Sequence, residues 1–189
     1  MPHIAIISSS VRIGRVSHRV ALFLQQYITT NAFGTAEILD LKEYNFPVFD
    51  ERLSHQKEPL PAAVKFSGQI KKADGVIIVT PEYNGGYPSS LKNAVDLLYP
   101  EWRRKPIAIA TVSDGVFGGT QVITSLAFSL FKMRAWLVPA MFPMPKAHEL
   151  LDEQGNPSDK QTLEKRASAF IQELLWCVEA KQKMDKNDG

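Results

Sequence analysis

The sequence predicts an α/β domain with a doubly wound parallel sheet and helices on both faces. Three observations predict it. Five short apolar runs alternate with segments of helical periodicity. The first run, HIAIIS, is apolar at consecutive positions rather than alternating, as a strand buried on both faces is. Three loops of unusual composition, at 8–17, 81–88 and 113–119, follow the carboxyl ends of the first, third and fourth runs. Open α/β sheets bind their ligands at that edge.

Residues 3–8 (HIAIIS) predict the first strand. Val16, Val20, Phe23, Leu24, Tyr27 and Ile28 then recur at helical spacing, and Gly34 breaks the pattern. Residues 36–41 predict the second strand. Residues 43–61, with Pro47, Pro59 and Pro61, predict a long surface excursion whose aromatic stretch YNFPVFD would wall a cavity or seal the core. A weakly patterned helix over 62–72 leads to GVIIVT at 75–80, the clearest strand of the chain. A helix over 89–98 places Leu91, Ala94, Val95 and Leu98 on one face. EWRRK at 101–105 reads as a solvated face at the far end of the sheet, and 106–112 as the fourth strand. A helix over 120–132 turns Val122, Ile123, Leu126, Ala127 and Leu130 inward, and 135–140 is the fifth strand. After a proline-rich crossing, Ser158 and Gln161 have capping-box spacing at the start of a last helix. Its apolar stripe is Leu163, Ala167, Phe170, Leu174 and Val178, with Cys177 beside it as packing. The expected domain is 1–182, with 183–189 a frayed tail.

The chain has 189 residues, enough for one domain with a proper core. A net charge of +2 without a long basic run argues against nucleic acid. One cysteine forms no internal disulfide and no cysteine-based zinc site, which fits a reducing cytoplasm. His3, His18, His55 and His148 show no metal spacing. No apolar run reaches the roughly 20 residues of a membrane span, and MPHIAII lacks the plan of a signal peptide.

The first loop, SSSVRIGRVS, joins a strand to a helix, whose free N–H groups and dipole favour an anion. Ser10 and Ser17 offer hydroxyls, Arg12 a charge-assisted donor, and Gly14 the tight turn. The loop lacks the lysine of a nucleoside triphosphate site and the three glycines of a dinucleotide site. A terminal monophosphate suits it better. The second loop, TPEYNGGYP, offers backbone amides, an aromatic ring and an amide side chain to a flat heterocycle. The third, SDGVFGG, is a glycine-rich turn. Singly each reads as a cap or turn; together, at one sheet edge, they predict one site.

S-S-x-x-R-x-G-R-x-S after the first strand, T-P-E-Y-N-G-G-Y-P-S-S-L-K-N-A-V-D after the third and S-x-G-x-x-G-G after the fourth resemble the NADPH-dependent FMN reductase family. That family includes quinone-, azo- and chromate-reducing flavoproteins. The resemblance covers about residues 3–140 and implies a flavodoxin-like fold, strand order 2-1-3-4-5, non-covalent FMN and NAD(P)H as co-substrate. It implies that Ser10, Arg12 and Ser17 bind the FMN phosphate, with Ser9 and Arg15 in the same loop. Pro81, Glu82, Tyr83, Asn84 and Gly85 would line the ring and ribityl chain, and Ser113, Gly115 and Gly119 the far side. No side chain is required as acid or base; Tyr83 is expected to touch the substrate. The implied reaction is ping-pong hydride transfer from NAD(P)H through FMN to a quinone, azo compound, free flavin or metal oxyanion. The implied assembly is a homodimer or homotetramer through helices 89–98 and 120–132. Ser9 and Ser89 stand where the family often has glycine, and Leu97-Leu98 where it often has tryptophan. A non-enzymatic flavin-binding electron carrier or redox-sensing module is the alternative.

Overall fold

The computed structural model describes residues 1–187. The chain runs β1 (His3–Ser8), α1 (Ser17–Thr30), β2 (Thr35–Asp40), α2 (Leu41–Tyr44), α3 (Pro61–Lys72), β3 (Gly75–Pro81), α4 (Ser89–Leu97), β4 (Pro106–Ser113), α5 (Gln121–Lys132), β5 (Trp136–Pro145), α6 (Ala147–Leu150) and α7 (Lys160–Asn187). The five strands form one parallel sheet in the order β2-β1-β3-β4-β5. The order reverses after β1, so β1 and β3 lie side by side and open the switch-point crevice between their ends.

Both faces of the central strands are covered. Ile4, Ile6, Ile77 and Val79 point to the layer of α1 and α7, where they meet Val20, Leu24, Phe170 and Leu174. Ala5, Ile7, Val76 and Ile78 point to the layer of α3, α4 and α5, where they meet Phe66, Leu91, Leu126 and Leu130. This two-sided burial is the reason the strand sequences are continuously apolar. The excursion seals the second layer: Tyr44 and Phe46 pack on Phe66, which meets Trp102 edge-on.

Four local readings change. β5 runs to Pro145, five residues past the expected end, with a register break against β4 between Ile107 and Ile109. Proline is tolerated there because β5 is an edge strand. The last helix is capped by Asp159, whose carboxylate accepts the Thr162 N–H at 3.0 Å, while the Ser158 hydroxyl turns to the Glu149 and Leu150 carbonyls. The tail expected to fray from 183 stays helical through Asn187, supported by Lys181–Asp185 and Glu179–Lys183 ion pairs one turn apart. Residues 188–189 of that tail lie outside the described residues. Finally, 101–105 is a solvated face only in part: Arg103 and Arg104 are exposed, while Trp102 and Lys105 turn inward. Trp102 is fully buried, and Lys105 caps the end of α3 by donating to the Lys71 and Ala73 carbonyls. Among the described residues no helix is long and apolar enough to cross a membrane.

Candidate flavin-phosphate site

The three loops converge on one cleft of about 220 Å³ at the carboxyl edge of the sheet. Ser10, Arg12, Gly14, Arg15 and Ser17 line it from the first loop. Pro81, Glu82 and Tyr83 line it from the second, Ser113 and Asp114 from the third, and Val112 from the end of β4.

The floor is the start of α1. Its N-cap position is Val16, with no side-chain cap and no acidic residue in the first turn. The Arg19 N–H is taken by the Val16 carbonyl at 3.0 Å, while no side chain caps this end and no acidic residue of the first turn opposes the helix dipole. The Ser17 hydroxyl lines the cleft and is buried without a hydrogen-bond partner. An orphaned buried hydroxyl costs about 1–3 kcal/mol unless it is satisfied, and an anion in the cleft would satisfy it. Arg12 is exposed and pairs with no acidic residue among the described ones. These donors fit a phosphate monoester.

Arg15, two residues beyond Ile13, is placed differently. Its guanidinium is bidentate on the Asp40 carboxylate at the end of β2, and it also donates to the Ser10 carbonyl at 2.8 Å. Burial pushes the Asp40 carboxyl up, but the Arg15 hydrogen bonds and the Lys42 backbone N–H outweigh it and hold the group below the usual carboxylate range. Asp40 also caps α2 through that N–H at 3.0 Å. His18 completes the cluster, 3.0 Å from the Ser8 hydroxyl and 3.7 Å from Asp40. Burial, then the neighbouring Arg15, keep its pKa below the ordinary histidine value. Arg15 thus fixes the loop from beneath, and its charge is already balanced. Ser9 does not line the cleft; it is fully buried, its carbonyl accepts from the Ser90 hydroxyl at 2.6 Å, and its own hydroxyl has no partner.

In the second loop, Tyr83 and Gly86 exchange two backbone hydrogen bonds, of 2.8 and 3.0 Å, around Asn84 and Gly85. Both central residues have positive φ, 53° and 79°. That is a type I′ turn, for which Asn-Gly is the favoured pair. Asn84 and Gly85 are therefore the tip that aims Tyr83 rather than lining of the cleft. The Tyr83 hydroxyl lies 2.8 Å from the Ser10 hydroxyl, tying the second loop to the first.

The third loop packs against the second at Gly119, where a Cβ would sit 3.1 Å from the Val112 carbonyl and 3.3 Å from Glu82 Cβ. Gly118, absent from the sequence-based set, is more constrained. Its φ is +61°, a Cβ would lie 3.0 Å from the backbone of Met144 and Pro145, and its carbonyl accepts from the buried Thr111 hydroxyl at 2.7 Å. Ser113 lines the cleft, while the Gly115 carbonyl accepts its hydroxyl at 3.3 Å, and a Cβ on Gly115 would meet only that hydroxyl, at 3.7 Å. Sequence reasoning also missed Asp40 and His18. An acid ending the strand beside β1 was the available signal for Asp40.

Residues 2–149 match the family described as NADPH-dependent FMN reductase. An NAD(P)H-dependent FMN reductase of Nectria sp is 34% identical over 156 residues, spanning 78% of this chain and 77% of that protein. A quinone reductase of Pseudomonas putida is 32% identical over 168 residues, 83% of this chain and 85% of that protein. The solved structure of FerB from Paracoccus denitrificans, a flavoenzyme NAD(P)H:(acceptor) oxidoreductase, aligns with a TM-score of 0.75 at 23% identity, covering 92% of this chain and 97% of that one. The likeness to FerB shows the shared flavodoxin-like fold.

Proposed function

The chain belongs to the NADPH-dependent FMN reductase family, and on that premise we propose that it is an FMN-dependent NAD(P)H oxidoreductase reducing a quinone, azo compound, free flavin or metal oxyanion. One observation carries the reading: a helix start without a side-chain cap, an orphaned Ser17 hydroxyl and an Arg12 guanidinium paired with no acidic residue among the described ones share a cleft with the second and third loops. Bound there without a covalent link, FMN would supply the two-electron redox chemistry.

The chain's own residues bind and orient. Ser10, Arg12, Ser17 and the α1 N–H groups would hold the phosphate. Pro81, Glu82 and Tyr83 would border the ribityl chain and ring, aimed by the Asn84-Gly85 turn. Ser113, Gly115 and Gly119 would shape the far wall. Arg15 and Ser9 would hold the loop rather than touch the phosphate. One open mouth would serve NAD(P)H and acceptor in turn, a ping-pong order. A second copy of the chain would cover Val116, Phe117, Phe128 and Phe131, which stand 74%, 76%, 65% and 68% exposed on the third loop and α5. Steady NADPH oxidation with menadione, giving parallel double-reciprocal lines, tests the reaction; no turnover with any acceptor class would count against it.

A further inference from the structure

The Tyr83 and Ser10 hydroxyls are 2.8 Å apart, on different loops, and both residues line the cleft. Each hydroxyl carries one proton. Only one proton is used between them, whichever residue donates. The Ser10 oxygen also receives the Arg12 backbone N–H at 3.3 Å. If Tyr83 donates to Ser10, the Ser10 proton is left to give. If Ser10 donates to Tyr83, the Tyr83 proton is left to give. In both arrangements the pair retains a free donor beside the α1 N-terminus and the orphaned Ser17 hydroxyl. Donation within the pair also polarises the outer hydroxyl and strengthens its bond to an anion.

We propose that Tyr83 acts on the phosphate, through its hydroxyl and in one donor pair with Ser10, and so makes the site selective for phosphorylated over unphosphorylated flavin. This assigns Tyr83 away from the acceptor, which the sequence had suggested it touches. The proposal rests on the FMN reading above. It differs from a substrate role in a specific way: the Tyr83 hydroxyl should matter to ligands that carry a phosphate and be indifferent to those that lack one.

The test is titration of apoprotein with FMN and with riboflavin, followed by flavin fluorescence, for the wild type, Tyr83→Phe and Ser10→Ala. Thermal melts of each variant establish that it is folded. Tyr83→Phe keeps the ring and removes only the hydroxyl. The expected result is an FMN dissociation constant raised about tenfold or more, the scale of one hydrogen bond to a charged group, with riboflavin affinity unchanged. Ser10→Ala should show the same phosphate-specific loss. The double variant should lose less than the product of the two single losses, because the hydroxyls act as a pair. Unchanged FMN affinity in Tyr83→Phe overturns the proposal. Equal weakening of FMN and riboflavin overturns it too, because that marks a residue shaping the ring site or the fold. A wild type that binds neither flavin overturns the FMN reading itself, and that result is seen without any variant.

Discussion

The Arg15 guanidinium grips both oxygens of Asp40, joining the loop after β1 to the end of β2. Arg12, three residues earlier in the same loop, is exposed and holds no carboxylate. The two arginines therefore separate stability from binding. Arg15→Ala leaves a nearly buried carboxylate without its counter-charge, and loss of one partner of such a pair costs about 3 kcal/mol. Chemical denaturation should show that loss.

Arg12→Ala should leave the denaturation midpoint unchanged and weaken FMN binding. A charge-assisted hydrogen bond to phosphate is worth about 1.5–3 kcal/mol, or roughly ten- to hundredfold in affinity. Flavin absorbance that survives gel filtration at wild-type level in this variant would remove Arg12 from the site.

His18 gives the molecule a pH dependence. Its folded pKa lies below the ordinary histidine value of 6.5, so the unfolded chain takes up a proton at higher pH than the native one does. Its contribution is fully present above about pH 6.5 and is lost as pH falls from there toward the lowered folded value. Asp40, whose folded pKa is also lowered, adds a second loss below its ordinary value of 3.8. His18→Gln should flatten the upper part of the stability profile and leave the acid limb in place. Urea midpoints between pH 7.5 and pH 3 measure both.

The glycines of the third loop should differ sharply. Gly118→Ala places a Cβ 3.0 Å from the Met144 and Pro145 backbone at φ +61°. Such strain costs about 1–3 kcal/mol, and a melting curve should show a lower midpoint. Gly115→Ala meets only the Ser113 hydroxyl at 3.7 Å, and its melting curve should match the wild type.

Much of this was legible in the sequence because periodicity and loop composition report burial directly. Val76–Val79 of β3 is continuously apolar because both faces of the strand are covered. The three loops announced themselves by glycine, serine and arginine at strand ends. What was not legible depends on neighbours distant in sequence. Nothing local to Arg15 says that Asp40 lies across the β1–β2 junction, or that Arg12 is the arginine left free. The length of β5 was hidden by Pro139, Pro143 and Pro145, which a break in the pairing to β4 and an edge position accommodate. Tyr83 looked like a ring contact from its motif, and only the fold brings its hydroxyl to Ser10.

The central claim is that this cleft holds FMN and passes electrons from NAD(P)H. An absorbance spectrum of the purified protein, followed by NADPH titration without oxygen, tests it most directly. The account predicts a flavin band that stays with the protein through gel filtration, is bleached by NADPH or NADH, and returns on addition of menadione. A colourless protein that takes up no added FMN, or a flavin band that neither nucleotide bleaches, would contradict it.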